Sequence, residues 1–78
     1  MKKHIRLIFP QHLIKEPVIF TMAKKYDVMP NIRQAKVTET RGEMILWLEG
    51  EEEDLRRGLQ SLADQGITVE LLEGDSIE

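Results

Sequence analysis

The stretch Met44-Ile45-Leu46-Trp47-Leu48-Glu49 is the most hydrophobic part of the sequence and decides the fold. Its length and composition predict a central β-strand, which Gly50 closes. The residues just before it, Thr40-Arg41-Gly42-Glu43, are typical of a hairpin turn. From Ile32 onward the chain again alternates between two faces, so these two segments predict an antiparallel hairpin in the middle of the chain.

One strand and one helix are predicted on each side of this hairpin. Residues 3–9 alternate as a strand ended by Pro10, and a helix stripe follows from Pro17 to about Asp27. After the hairpin, the acids at 51–54 open a second helix, Gly66 ends it, and residues 67–72 form the last strand. The order βαββαβ predicts an α+β fold of the ferredoxin-like kind, a four-stranded antiparallel sheet with both helices on one face.

The two faces of this sheet are predicted to differ, because side chains alternate across a strand. The helix-covered face takes Ile5, Leu7, Phe9, Ala35, Val37, Met44, Leu46, Leu48, Val69 and Leu71. The open face takes Arg6, Ile8, Lys36, Thr38, Ile45, Trp47, Glu70 and Leu72. An apolar patch in the middle of an open sheet usually marks an interaction surface, so Ile8, Ile45, Trp47 and Leu72 are predicted to contact a second copy or a partner. Two alternatives stay open, namely scattered exposed side chains without a role and a small-molecule site without dimerisation.

The composition restricts the classes of protein that the chain can represent. With 78 residues it forms a single domain, predicted to have its core at about 3–73 and an acidic tail at 74–78. The chain has no cysteine, and no apolar run approaches the roughly 18 residues that span a bilayer. These features exclude disulfides and thiolate metal sites, give no reason to expect membrane insertion, and favour a cytoplasmic location.

The net charge of −3 divides unevenly between the two halves of the chain. Residues 1–41 carry nine Lys and Arg against three acids, which gives +6, whereas residues 42–78 carry two Arg against eleven acids, which gives −9. The two halves are expected to fold against each other, so that their fields partly cancel. Since the open face offers only Trp47 for base stacking, nucleic-acid binding is not expected.

Catalytic and metal-binding groups are few. His4 and His12 are the only histidines, and neither has a fixed distance to Ser61 or Ser76, so no nucleophile–base set is predicted. The acids at 51–54 are expected to stabilise the helix dipole, since they lack the glycine-kinked pattern of a calcium loop. The chain is therefore predicted to be no enzyme and to carry no cofactor and no metal.

The segment Met29-Pro30-Asn31-Ile32 is the most distinctive polar feature and is predicted to be a loop between the first helix and the second strand. The Asn31 amide and nearby backbone groups are suited to grip the two charged ends of a small zwitterion. The alternative is a turn asparagine that bonds its own backbone. Gly58, inside the second helix, is expected to let the two helices approach closely.

Over about residues 3–72 the sequence resembles the NIL domain family. The resemblance lies in short motifs in the right order: Phe9-Pro10, Glu16-Pro17-Val18-Ile19, Tyr26-Asp27-Val28, Asn31-Ile32, Gly42-Glu43-Met44 with Leu46, Leu48 and Gly50, and Leu62 with Gly66-Ile67-Thr68-Val69-Glu70. The family takes its name from an Asn-Ile-Leu tripeptide, and this chain departs from it with Asn31-Ile32-Arg33.

The resemblance implies a regulatory domain related to the ACT amino-acid sensors. NIL domains occur at the C terminus of the ATPase subunits of methionine-import ABC transporters, where methionine bound near a domain dimer interface stops import, and also fused to bacterial-type ferredoxins. It implies a ligand-binding segment at Pro30, Asn31 and Ile32. Met1 followed by two lysines favours a free-standing NIL protein over an excised domain.

The leading hypothesis is thus a non-enzymatic regulatory domain that senses methionine or a related amino acid through a homodimer, with a transporter or a ferredoxin as partner. The alternative, which Arg33 favours, is a protein–protein interaction module that docks on a transport or redox partner without binding a ligand. An RNA-binding sheet is the third hypothesis, and an enzyme is the weakest class.

Overall fold

The structure of the protein is a computed structural model that describes residues 1–72, so the predicted tail at 74–78 lies outside the described residues. The elements in chain order are β1 Lys2–Pro10, a short 3-10 helix Gln11–Leu13, α1 Val18–Tyr26, β2 Met29–Val37, β3 Arg41–Glu49, α2 Glu52–Asp64 and β4 Thr68–Leu71. The strands form one antiparallel sheet in the order β2-β3-β1-β4. The predicted ferredoxin-like α+β fold is confirmed.

The hydrophobic core lies between the two central strands and the helices. Ile5, Leu7, Leu46 and Leu48 are completely buried on the helix side of β1 and β3, and Leu55 and Leu62 of α2 belong to the same core cluster. Burying a side chain of this size contributes about 1.5–3 kcal/mol. The predicted core face is confirmed for these four strand residues and for Phe9, while Met44 and Val69 pack partly buried against them.

Three residues predicted for the core are exposed instead. Ala35 and Val37 on β2 and Leu71 on β4 keep the register of the helix-side face, opposite Met44, Gly42 and Ile5, but Val37 is 63% and Leu71 62% exposed. The reason is that β2 and β4 are the two edge strands of the sheet, and the helices cover chiefly its middle.

The segment before β2 also differs from the expectation. Residues 29–32, predicted to be a loop, are the first part of β2, which begins at Met29. An edge strand accepts Pro30 because one side of it needs no ladder donor. The hairpin turn lies slightly earlier than predicted, since β3 already begins at Arg41. The Thr38 hydroxyl holds this turn by accepting hydrogen bonds from the backbone N–H groups of Thr40 and Arg41.

Both helices end in a left-handed residue that returns the chain to the sheet. After α2, Gly66 has φ 97°, and the N–H groups of Gly66 and Ile67 bond the carbonyls of Ala63 and Leu62, which is the Schellman pattern. After α1 the left-handed residue is Asp27, with φ 59°, and the Val28 N–H bonds the Ala23 carbonyl. The Asp27 backbone therefore has a conformation that usually belongs to glycine.

Asp27→Gly is expected to raise the free energy of unfolding by about 0.5–1 kcal/mol, because glycine adopts positive φ without a Cβ penalty. Urea denaturation followed by circular dichroism measures the change. The matched control is Lys24→Gly inside α1, which should lower stability by roughly the same amount. A loss of stability in Asp27→Gly would show that its side chain stabilises the turn more than the strain costs.

The two helices touch closely at Gly58, as the sequence predicts. A Cβ at this position would lie 2.9 Å from Met22 Sδ and 3.7 Å from Tyr26 Cβ.

The predicted acidic first turn of α2 is also confirmed, and acids of this turn pair with arginines along the helix. Arg56 donates hydrogen bonds to Glu53, which lowers the pKa of Glu53, and Arg57 lies 3.1 Å from the Asp54 carboxylate.

Candidate functional site

The open face of the sheet carries the four residues predicted as an interface. Ile8, Ile45, Trp47 and Leu72 are each partly buried. No helix of the described chain packs on this face, since the core cluster that joins both helices to the sheet lies on the other side. Their partial burial comes from neighbouring side chains of the same sheet.

Three paired residues, Glu43, Arg6 and Glu70, form a charge ladder across the open face. Arg6, in the middle of β1, lies 3.4 Å from a Glu43 carboxylate oxygen and 3.1 Å from a Glu70 carboxylate oxygen. Ile45 is the direct neighbour of Arg6 on β3. The charges in the centre of the open face are therefore paired with one another, directly beside Ile45.

Trp47 lies at the end of the open face away from this charge ladder. Its indole ring stacks on the His4 ring across the β1–β3 pair, with ring centroids 4.5 Å apart and an interplanar angle of 7°. On its other side, Trp47 lies opposite Asn31 of β2. The strand register thus joins Asn31, predicted as a ligand residue, to Trp47, predicted as an interface residue.

An open-face cleft surrounds this pair. It has a volume of about 400 Å³ and is lined by Lys2, Met29, Pro30, Asn31, Arg33, Trp47 and Glu49. Pockets for small ligands usually range from about 300 to 1,000 Å³. The cleft includes Pro30 and Asn31 of the predicted ligand segment. Ile32, which lies opposite the buried Leu46 on the helix side, is not among the lining residues.

A β-bulge explains why Arg33 reaches the cleft. The register between β2 and β3 shifts between Ile32 and Gln34, so that Arg33 is the extra residue on β2. A bulge of this kind redirects side chains and often lies near a functional site. The residue that departs from the family tripeptide is therefore a lining residue of the cleft.

Sequence reasoning missed Lys2, Met29 and Glu49 as site residues. All three lie one pleat beyond His4, Asn31 and Trp47, and Glu49 is the register partner of both Lys2 and Met29. Extending the open-face assignment by two residues beyond Trp47 would have found Glu49, and extending it by four residues before Arg6 would have found Lys2. Met29 was hidden, because the segment that contains it was predicted to be a loop.

The lining groups define what the cleft can bind. Lys2 and Arg33 supply positive charge, Glu49 supplies negative charge, and the Asn31 amide both donates and accepts hydrogen bonds. Met29 and Trp47 add polarizable apolar surface that suits a thioether or an aliphatic chain. The arrangement suits a small zwitterion with an apolar side chain.

A second cleft, of about 460 Å³, lies between the helices and includes His12, Thr21, Lys25, Tyr26 and Ser61 in its lining. The Ser61 hydroxyl donates a hydrogen bond of 2.7 Å to the Gly58 carbonyl, as a structural helix serine does.

Among residues 1–72, no three His, Cys, Asp or Glu side chains group as metal ligands. Over the same part of the chain, no helix has both the length and the apolar character needed to cross a membrane.

The fold is that of a small ferredoxin-like domain with a cleft on the open face of its sheet. The chain belongs to the NIL domain family, whose model matches residues 3–71. Membership of this family supports a regulatory rather than a catalytic role.

The sequence relatives are ATP-binding proteins of importers. Methionine import ATP-binding protein MetN 1 of Bacillus cereus is 34% identical over 59 residues, which cover 70% of this chain and 17% of that protein. Methionine import ATP-binding protein MetN of Coxiella burnetii is 31% identical over 72 residues, which cover 87% of this chain and 20% of that protein. The chain thus spans about a fifth of the length of these relatives.

Solved structures support the fold. The C-terminal domain of an ABC transporter ATP-binding protein from Enterococcus faecalis has a TM-score of 0.79 at 23% identity, and the match covers 94% of this chain and 86% of that one. The acylphosphatase of Bacillus subtilis has a TM-score of 0.54 at 14% identity, over 100% of this chain and 92% of that one. At these identities the likeness concerns the fold alone.

Proposed function

We propose that the chain is a non-enzymatic regulatory domain that binds methionine, or a closely related amino acid, in the open-face cleft. The observation that carries the proposal is the pairing of Asn31 with Trp47 in a cleft that also holds both signs of charge. The names of the relatives, which are methionine import proteins, support methionine as the ligand.

Each part of an amino acid has a matching group in the cleft. The carboxylate is bound by Lys2, Arg33 and the Asn31 amide N–H, because these groups donate hydrogen bonds to an anion. The ammonium group is bound by Glu49. The unbranched thioether contacts Met29 and the Trp47 indole, and sulfur–aromatic contacts of this kind are favourable.

A second copy of the chain covers the open face in this proposal. Ile8, Ile45, Trp47 and Leu72 are only partly buried in one copy, and contact with a partner would remove the rest of their surface from water. The two copies enclose the ligand, and ligand binding then shifts the balance between dimer arrangements. An ABC importer is the proposed partner, and the cytoplasm the proposed location.

Calorimetric titration with methionine, and with methionine derivatives that lack one of its two charges, tests this function. L-methionine and norleucine are expected to bind, because both are unbranched zwitterions, whereas β-branched valine should bind less well. Methionine methyl ester, which lacks the carboxylate charge, and N-acetylmethionine, which lacks the ammonium charge, should each bind at least roughly tenfold more weakly. No heat and no thermal shift with methionine at millimolar concentration would contradict the proposal and favour the interaction module.

A further inference from the structure

The outer side of β2 is the most exposed apolar part of the described sheet. Every residue from 31 to 37 is exposed, and Ile32 and Val37 are 50% and 63% exposed. Both project on the helix side, opposite Leu46 and Gly42. Within residues 1–72, β2 pairs only with β3, so its other edge has backbone groups that no strand satisfies.

A groove runs between this strand and α1. It has a volume of about 180 Å³, and its lining includes Phe9, Ile19, Phe20, Val37 and Met44. Water takes about 30 Å³ per molecule in the liquid, so the groove has the volume of about six water molecules. This is room for one large apolar side chain. Phe20, at the mouth of the groove, is 68% exposed, which is costly for an aromatic ring that stays in water.

The charges along β2 indicate which partner fits. Arg33 and Lys36 lie on this strand, and Met29–Val37 contains no acid. The groove lining has two carboxylates, Glu16 and Glu43, and the second is already paired with Arg6. A second copy that paired its β2 here would bring like charges together, which destabilises strand pairing.

We propose that the β2 edge and its groove bind an extended, acidic segment of another protein, which adds a fifth strand to the sheet. Backbone hydrogen bonds to the edge of β2 provide the affinity, and the alternating side chains provide the specificity. The apolar side chains of the segment enter the groove beside Phe20 and Val37, while its acidic side chains face Lys36. The groove lies on the helix side of the sheet, and Lys36, which lies opposite Glu43 on the open face, does not line the open-face cleft. The proposal therefore does not rest on methionine binding in that cleft.

A labelled, capped heptapeptide that alternates glutamate and leucine tests the proposal by fluorescence anisotropy with the full chain. Binding is expected, with about tenfold loss in Phe20→Ser, since buried aromatic anchors dominate such contacts. Leu71→Ser is the matched control, because Leu71 is 62% exposed on the opposite edge strand, and it should bind as the wild type does. Lys36→Glu should weaken the glutamate peptide and strengthen a counterpart with lysine in place of glutamate.

Three results would overturn the proposal. One is the failure of both peptides to bind at about 1 mM, the weak end of specific affinity. Another is equal binding of both peptides, since charge would then not select the partner. The third is a dimer in sedimentation that Val37→Lys dissolves, because a second copy would then occupy this edge. Circular dichroism of each variant confirms that the domain is folded.

Discussion

Asn31→Ala should weaken L-methionine binding by roughly 10- to 100-fold, because the amide is expected to make a hydrogen bond to a charged group of the ligand, and such bonds contribute about 1.5–3 kcal/mol. Asn31 lies opposite Trp47 in the open-face cleft, so its side chain is among the groups that a bound ligand would meet. The Asn31 side chain is exposed, so its removal leaves no cavity in the core. Calorimetry measures the loss.

The matched control for this prediction is Gln34→Ala. Gln34 is an exposed amide on the same strand and lies opposite Ile45, but it does not line the cleft. Its replacement should leave methionine affinity within about twofold, a difference of less than 0.5 kcal/mol. Equal losses in both variants would show that the cleft is not the site.

Ile45→Glu should raise the dissociation constant of the dimer more than about 100-fold. Each copy loses about 1.5 kcal/mol of apolar burial, and a two-fold interface contains the residue twice, which gives about 3 kcal/mol before the cost of burying a carboxylate. The single copy should tolerate the change, because Ile45 lies on the open face and is only partly buried in one copy. Sedimentation equilibrium measures the association, and circular dichroism checks the fold.

The control for this second prediction is Leu71→Glu, an apolar-to-acid change on the helix side of an edge strand. It should leave the dimer intact. A wild-type chain that sediments as a monomer at about 1 mM, the weak end of specific affinity, would contradict dimerisation. A dimer that Leu71→Glu dissolves and Ile45→Glu does not would place the interface on another surface.

The order of the elements could be predicted from the sequence because each has a local signal. The alternation in β1 and β3 and the acids at the start of α2 are local patterns, and each produced the element expected. The exposure of Val37 could not be predicted, because it depends on how far α1 extends over the edge of the sheet. A sequence pattern gives the face of a strand but not the area that a helix covers.

The cleft was harder to predict for a related reason. Asn31 was recognised as a ligand candidate, but its pairing with Trp47 depends on the strand register. That register includes a bulge at Arg33, and an extra residue in a strand leaves no clear mark in a pattern of period two. The predicted loop at residues 29–32 hid the strand start, since Pro30 is tolerated there only because β2 is an edge.

The proposed ligand site lies on the uncovered side of the sheet, and the indole N–H resonance of Trp47 tests this directly. Trp47 is the only tryptophan, so its signal in a nitrogen–proton correlation spectrum is unambiguous. Titration with L-methionine should shift this resonance to saturation, with the midpoint that calorimetry gives. Methionine binding that leaves the indole unmoved, while Tyr26 and Ser61 between the helices respond, would contradict the account.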